Sequence, residues 1–178
     1  MNIRVITPPT EEPITLTEAK AFLRVDGTSD DALITSLIVA ARERGEEIAR
    51  KAYVTQTLEQ TVDAWSLVMR VARPPLQSVT SVKYTDRDGV EATWTDYRVD
   101  AKSDPGAILY TTLPGTSLQQ TGAITIRFVA GYGAAAAVPQ RVKNAILALV
   151  MYWYESRETA NIPSGLYDAF VSDRTVWY

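Results

Sequence analysis

The chain has 178 residues and contains neither cysteine nor histidine. Without cysteine it can form no disulfide, no thiolate metal site and no cysteine nucleophile. Without histidine it lacks the most common general base and the most common metal ligand in proteins. Any chemistry would therefore depend on carboxylates, lysines, hydroxyls and tyrosines.

The sequence also lacks an excess of positive charge, an apolar leader and a long apolar run. Its formal net charge is −3, which argues against binding nucleic acid through bulk charge. The opening MNIRVITPPTEEP has no apolar segment of the kind found in a signal peptide. The apolar run at residues 145–154 is shorter than the roughly 20 residues of a membrane span. We therefore expect a soluble protein without membrane contact, made and used in the cytoplasm.

The most informative segment is residues 128–158, FVAGYGAAAAVPQRVKNAILALVMYWYESRE. A glycine turn at Gly131-Tyr132-Gly133 ends a strand-like stretch, and Pro139 suits the first turn of a helix. The predicted helix has a period-3.6 stripe, which consists of Val142, Ala145, Ile146, Leu149, Val150, Trp153 and Tyr154. We predict that this stripe faces the protein's own core.

A second apolar row lies on another side of the same predicted helix. It contains Leu147 and Met151, and a helix that is apolar on two sides has to be covered on two sides. A small domain covers one side easily, so a neighbouring subunit is the natural cover for the other. We therefore predict that the subunit interface includes Leu147, Met151, Tyr152 and Tyr154.

The N-terminal third predicts an extended arm and two helices. Pro8, Pro9 and Pro13 disfavour helix in residues 1–13, and we expect Glu11 and Glu12 to be solvated there. Thr15 and Glu18 form a capping-box pattern at the start of the first helix. The second helix is predicted at about residues 30–53, with a buried stripe at Leu33, Ile34, Leu37, Ile38, Ala41, Ile48 and Ala52. Its charged residues, Arg42 and Glu46 included, are predicted to cover the exposed side.

Two details of the second helix lead to specific expectations. The spacing of Glu46–Arg50 and of Glu47–Lys51 predicts i, i+4 ion pairs. Gly45 lies in the helix interior, where it costs about 1 kcal/mol relative to alanine. Either the close approach of another backbone or a bend would explain it.

From Thr55 the apolar period changes from 3.6 to 2, and short strands alternate with closely spaced turns until about residue 130. This pattern predicts an antiparallel sheet inserted between helices. The fold class is therefore α+β: an α-helical bundle from about residues 15–53 and 139–172, a β insertion at about 56–130, and a C-terminal tail at 173–178. We expect residues 1–178 to form one domain.

Three motifs invite a chemical interpretation, but a structural one is stronger for each. Residues 86–89, Asp-Arg-Asp-Gly, resemble the start of a calcium loop, yet the position of the required glutamate holds Tyr97. Residues 131–133 lack the lysine and hydroxyl of a phosphate-binding loop. Both are interpreted as turns. Glu46 with Glu47, and Glu155 with Glu158, are interpreted as surface charge. We predict no catalytic residue, no bound cofactor and no metal site.

The chain ends with Arg174, Val176, Trp177 and Tyr178 among its last five residues. Chain ends are usually polar and poorly ordered, whereas large aromatic side chains favour burial. Docking on the chain's own sheet and docking on a partner explain this composition equally well. These four residues are therefore candidate partner-docking positions.

Several blocks of the sequence, in this order and spacing, resemble the head–tail connector proteins of tailed bacteriophages and prophages, also called head-completion or adaptor proteins. Gene transfer agents use a similar protein. The matching blocks are residues 13–20 (PITLTEAK), 22–25 (FLRV), 30–34 with 37–38 and 40–41, 73–76 (RPPL) with Val79 and Val82, 86–89, 130–132, 138–139, 145–146 and 157–158. Near the end, Arg174 and Trp177 fit the family's pattern, but its proline is missing.

The resemblance implies a structural, non-enzymatic protein of the virion neck, present in the host cytoplasm during assembly. It implies self-association into a ring, typically of twelve subunits, with a monomer in isolation left open. The portal protein and the tail-side neck proteins are the implied partners. DNA would pass through the ring without sequence-specific binding, and the acidic balance suits such a channel. A carboxylate-dependent small enzyme and a protein-interaction adaptor unrelated to phage remain the alternatives.

Overall fold

The structure is a computed structural model that describes residues 2–110, 112–115, 117–159 and 161–175. The described residues divide into two compact units, a β unit built from residues 2–9 and Thr55–Gly131, and a helical unit built from Thr10–Val54 and residues 132–175. The combination of helices and antiparallel sheets confirms the predicted α+β class. The expectation of one connector domain stays a prediction.

The β unit contains eight strands in two antiparallel sheets. The first sheet has the order β1-β2-β8-β4-β5 and the second has the order β3-β7-β6. The strands are β1 (Asn2–Thr7), β2 (Gln56–Val62), β3 (Val68–Arg70), β4 (Leu76–Thr85), β5 (Glu91–Trp94), β6 (Tyr97–Asp100), β7 (Ala107–Tyr110) and β8 (Ile124–Ala130). The antiparallel β insertion predicted at about residues 56–130 is therefore present, and β1 adds a strand to it from the N-terminus.

β1 lies in the segment for which the sequence predicted only an extended arm. It pairs antiparallel with β2, and Arg4 stands opposite Glu59. Arg4 Nε donates to Glu59 Oε1 at 2.8 Å. The partner strand lies about fifty residues away in sequence, so the local pattern of the arm could not reveal the pairing.

The core of the β unit includes a buried polar bridge as well as apolar side chains. Leu58, Ile126 and Phe128 are buried on β2 and β8, and so is Gln60. The Gln60 amide donates to Arg70 O at 3.1 Å and accepts from Ala72 N at 2.8 Å. This side chain therefore satisfies two backbone groups beyond the strand ladder, which a buried amide requires.

Five aromatic rings cluster in the β unit. Trp65 contacts Trp94 edge to face, with ring centroids 4.9 Å apart, and lies 5.9 Å from Tyr84. Tyr97 and Tyr110 complete the cluster, each against Trp94. Such edge-on contacts contribute about 0.5–1.5 kcal/mol per pair beyond burial, so the cluster stabilises the end of the unit around β5, β6 and β7.

Residues 86–89 form the turn that was predicted. Asp86 Oδ1 accepts hydrogen bonds from Asp88 N at 3.0 Å and Val90 N at 2.9 Å. Gly89 has φ of +82°, a conformation that glycine adopts without steric cost. The Asp86 carboxylate thus closes the turn between β4 and β5, so Asp86 has a structural role in the turn.

The helical unit contains α1 (Leu16–Leu23), α2 (Asp31–Ala49), a short 3₁₀ helix (Ala135–Ala137), α3 (Gln140–Ser156) and α4 (Ser164–Val171). Thr15 and Glu18 form the predicted capping box at the start of α1. The helices share one core, whose largest fully buried side chains include Ile14, Ile34, Tyr53, Ile146, Leu149 and Phe170. Leu33, predicted to belong to the buried stripe of α2, is instead 49% exposed.

α2 ends at Ala49, four residues before the predicted end. Arg50 adopts a left-handed conformation with φ of +54°, which stops the helix. Tyr53 N donates to Glu46 Oε1 at 2.7 Å, so a side chain replaces the helical carbonyl as its acceptor. The buried carboxylate of Glu46 therefore directs the chain away from the helix axis.

The charged residues of α2 differ from the prediction in burial and in pairing. Arg42 and Glu46 are both buried, and Arg42 Nη1 donates to Glu46 Oε2 at 3.1 Å. Arg42 Nε also donates to Glu12 Oε2 at 2.7 Å. The expected exposure of both residues and the solvation of Glu12 were wrong, because the N-terminal segment lies against this side of α2.

The glycine at position 45 is explained by the close approach of side chains, and the expected approach of another backbone is not what surrounds it. A Cβ atom at this position would lie 2.6 Å from Phe170 Cε1 and 3.1 Å from Tyr53 Cε2. Both rings are fully buried, and Tyr53 Oη also donates to Gly45 O at 3.1 Å. The glycine therefore makes room for the contact between α4 and α2.

Candidate subunit interface

The helix predicted from residues 128–158 is α3, and its apolar stripe is buried as expected. Six of its seven predicted core positions are buried: Val142, Ala145, Ile146, Leu149, Val150 and Trp153. The seventh, Tyr154, is half-buried, and its hydroxyl donates a short hydrogen bond to Asp30 Oδ2. The period-3.6 pattern thus fixed the inward side of α3 correctly.

The second apolar row of α3 lies at the border between core and solvent. Leu147 is half-buried against the core, and Met151 is 37% exposed. Lys143 and Tyr154 continue this row, because residues spaced by three, four or eight share one side of a helix. Tyr152 is also half-buried, but helical geometry places it roughly 140° from Leu147 around the axis. Three of the four candidate interface residues therefore lie together, and Tyr152 lies apart from them.

α1 is in contact with α3. The Glu18 carboxylate is close enough to Lys143 for their charges to interact, and Asp30, a few residues beyond the end of α1, contacts Tyr154 near the end of α3. From these two contacts we infer that α1 and α3 run in the same direction. Phe22 follows Glu18 by four residues as Leu147 follows Lys143, so we infer that Phe22 and Leu147 lie at the same level.

On this inference Phe22, which is 47% exposed, extends the apolar row onto α1. We call Phe22, Leu147 and Met151 the α1/α3 patch. In the sequence, Phe22 lies beside the apolar face of α1 that Leu16, Ala19 and Leu23 form. A bulky aromatic residue off that face was the available signal, but it could not show which helix would stand next to it.

Polar contacts close both ends of the α1/α3 patch. The pKa of Glu18 is lowered first by its hydrogen bonds from Thr15 and further by the charge of Lys143. The pKa of Tyr154 is raised, chiefly because its hydroxyl is hydrogen-bonded to Asp30. The patch is therefore an apolar strip between two polar ends, as in the polar rim around the core of many protein interfaces.

The C-terminal candidates fall partly within the described residues. Arg174 is half-buried, whereas Val176, Trp177 and Tyr178 lie outside the described part of the chain. The residues on either side of Arg174, Asp173 and Thr175, are buried in the helical unit. The chain is thus held on its own helices as far as Thr175.

The partners of three buried carboxylates bear on the alternative of a carboxylate-dependent enzyme. Glu46 is bound by Arg42, Asp173 by Arg141, and Glu59 by both Arg4 and Arg127. Each of these carboxylates therefore neutralises a neighbouring guanidinium.

Glu59 lies in a polar groove of about 200 Å³ on the five-stranded sheet. Burial alone would raise the pKa of Glu59, but hydrogen bonds from Arg127 and Arg4 lower it below the ordinary value. A general acid needs a raised pKa and a general base needs one near neutrality. The geometry therefore fits an electrostatic tie between strands better than an acid–base group.

Among residues 2–110, 112–115, 117–159 and 161–175 there is no group of three or more acidic side chains placed to hold a metal ion. Within the same ranges, the helices are too short or too polar to span a membrane. Two surfaces remain candidates for a functional role, the α1/α3 patch and the C-terminal segment.

A helical bundle with an antiparallel β insertion defines an α+β protein. The comparison with family models identifies it more closely. The chain belongs to the head completion protein family, whose model matches residues 12–164. This membership confirms the prediction of a structural head–tail connector protein and supports neither alternative function. A comparison with curated proteins gave no match.

Solved structures from gene transfer agent particles share this fold. A chain from the neck of an empty particle, computed with C6 symmetry, has a TM-score of 0.83 at 22% identity. A chain from the virion of the native particle has a TM-score of 0.81 at 24% identity. In the neck of the native particle, computed with C12 symmetry, the values are 0.76 and 24%. Each comparison covers 100% of this chain and 97% of the other.

Proposed function

We propose that the protein forms a ring in the neck of a phage-like particle, between the portal protein and the tail-side neck proteins, and that DNA passes through this ring. Membership of the head completion family carries the proposal. The similar chains come from particle necks computed with C6 and C12 symmetry, and twelve subunits is the stoichiometry proposed here. Assembly takes place in the host cytoplasm.

The α1/α3 patch is the proposed contact between neighbouring copies. A ring requires a heterologous interface, in which one surface of each subunit meets a different surface of the next. The patch supplies exposed apolar area on two adjacent helices, with Met151 and Phe22 as its most accessible members. We propose that Tyr154 borders this interface and that Tyr152 contacts a neighbour from the other side of α3.

Substitution of Met151 by Glu tests the interface. Burial of an unpaired carboxylate between subunits costs several kcal/mol, whereas Met151 is exposed in the monomer and the variant should fold. We expect Met151→Glu and Phe22→Glu to stay folded by circular dichroism and to fail to form rings on the portal in electron micrographs. Leu147→Glu should also prevent ring formation, with a larger loss of monomer stability because this residue contacts the core.

Tyr167→Glu is the matched control, because Tyr167 on α4 is exposed to a similar degree, 42%. This variant should form rings as the wild-type protein does. Normal rings from Met151→Glu and Phe22→Glu would show that the α1/α3 patch is not the interface. Failure of the wild-type protein to assemble with the portal would contradict the proposed ring itself.

We also propose that the C-terminal residues dock on a partner, with the portal as the first candidate. The supporting observations are the aromatic composition of residues 176–178 and the fixed path of the chain up to Thr175. In this arrangement Arg174, Val176, Trp177 and Tyr178 make the contact. The net charge of −3 suits DNA transit, since a strongly basic wall would retain the phosphate backbone.

A further inference from the structure

The last described residues are fixed by a buried carboxylate at the end of α4. The side chain of Asp173 is 2% exposed. It accepts a short hydrogen bond from Arg141 in the first turn of α3 and lies 3.4 Å from Tyr132 Oη. Tyr132 in turn is 3.3 Å from Lys51 Nζ. One carboxylate thus joins the C-terminal segment to the glycine turn and to α3.

The backbone reinforces this attachment on both sides of Asp173. Phe170, three residues earlier, fills the space left by Gly45 on α2. Thr175, two residues later, donates its backbone N–H to Ala49 O at 3.2 Å, at the last residue of α2. The segment is therefore held at three successive points, which we call the Asp173 anchor: Phe170, Asp173 and Thr175.

A buried ion pair is a weak source of net stability, because desolvation of the charges offsets their attraction. An apolar residue at position 173 would fill the same space at lower cost. A carboxylate, by contrast, accepts hydrogen bonds only from donors at defined positions, so it selects one path for the chain. Arg141 remains 63% exposed, which shows that the charge of this partner stays largely hydrated.

We propose that Asp173 is a positioning residue, which fixes the path of the chain as far as Thr175, and that the docking of the C-terminal residues on the portal depends on this fixed path. The inference rests on the proposed docking of these residues. If the anchor is lost, the C-terminal segment can take several paths, of which one is competent to bind the portal. The apparent affinity for the portal then falls in proportion to the population of that path.

The first test follows release of the anchor without any partner. Native protein is treated with a carboxypeptidase, and the products are identified by mass spectrometry. In the wild-type protein digestion should stop at or before the buried Thr175. In Asp173→Asn and Arg141→Gln it should continue past this residue at least about tenfold faster, because the open state is more populated. Asp168→Asn, an exposed residue on α4, is the matched control and should behave as wild type.

The second test measures binding of the same four proteins, and of a chain lacking residues 176–178, to the isolated portal ring. We expect Asp173→Asn and Arg141→Gln to bind about tenfold more weakly at unchanged helical content, if about a tenth of the molecules keep the competent path. A protein that carries both Asp173→Asn and Arg141→Gln is measured in the same assay. It should bind as weakly as either single variant, because both changes break the same contact.

The possible results separate the inference from the proposed function. If digestion of Asp173→Asn stops where it does in the wild-type protein, there is no anchor. If the segment is released and portal binding is unchanged, Asp173 does not position the docking residues. If deletion of residues 176–178 leaves portal binding intact, the proposed docking is wrong, and with it the positioning role, whatever digestion shows about the anchor.

Discussion

The contact between Gly45 and Phe170 allows a quantitative test of how the helical unit is held together. Replacement of a helix-interior glycine by alanine normally stabilises a protein by about 1 kcal/mol. Here the new methyl group would lie 2.6 Å from Phe170 Cε1 and 3.0 Å from Cδ1. The ring is 1% exposed and cannot move into solvent. Overpacking of this kind costs about 1–3 kcal/mol.

The two effects oppose each other in Gly45→Ala, and packing should prevail. We expect the free energy of unfolding to fall by about 0–2 kcal/mol, the difference between the packing cost and the gain in helix propensity. Removal of the ring should reverse the sign. Phe170→Ala alone costs about 3–5 kcal/mol. In that background Gly45→Ala should be neutral or stabilising, because the two closest contacts of the new methyl group are gone and Tyr53 Cε2 at 3.1 Å becomes the nearest atom.

The measurement is urea unfolding of the four proteins in this double-mutant cycle, followed by circular dichroism at 222 nm, since all four described α-helices lie in the helical unit. Phe170→Leu replaces Phe170→Ala if the latter is too unstable to measure. The expected coupling between the two sites is about 1–3 kcal/mol, the packing cost that the ring imposes. Equal stabilisation by Gly45→Ala in both backgrounds would refute the proposed role of the glycine.

Two further predictions concern buried charge. Glu59→Gln should lower the free energy of unfolding at neutral pH. The difference in stability from the wild-type protein should shrink below about pH 4.5, the ordinary pKa of glutamate. Unfolding curves measured at a series of acidic pH values check this. The sign follows because the pKa of Glu59 is lower in the folded protein than in the unfolded chain. The ionised carboxylate therefore stabilises the fold fully above the unfolded pKa, and this stabilisation is lost as the pH falls through the folded pKa. Arg42→Met should cost about 3–5 kcal/mol in urea unfolding, because it leaves the buried Glu46 carboxylate without its guanidinium. An Arg42→Met protein as stable as wild type would contradict the buried pair.

Features that depend on neighbouring residues were predictable from the sequence. The inward side of α3, the capping box at Thr15 and the turn closed by Asp86 each depend on residues within a few positions of one another. Periodicity and turn chemistry describe such relationships directly. The outer row of α3 followed by the same logic, because a residue outside the buried arc of a helix needs another cover.

The errors share a different cause, which is distance along the chain. Arg42 seemed a surface residue because its partner Glu12 lies 30 residues earlier. Glu59 gave no signal because Arg4 and Arg127 lie 55 and 68 residues away. β1 seemed an arm for the same reason. A charged residue is predicted to be exposed on average, and only the fold shows which ones meet a partner.

The buried charges have one property in common that bears on the proposed function. Glu12 is bound to Arg42, Arg4 to Glu59, and Asp173 to Arg141. Each contact attaches a segment near one end of the chain to the unit that contains it. Such pairs add little net stability relative to apolar packing, but they permit few alternative arrangements. In the proposed ring every copy has to present the same surface, so contacts that hold the segments near the chain ends favour assembly. We therefore expect the loss of any of these contacts to impair ring formation more than monomer stability alone would predict.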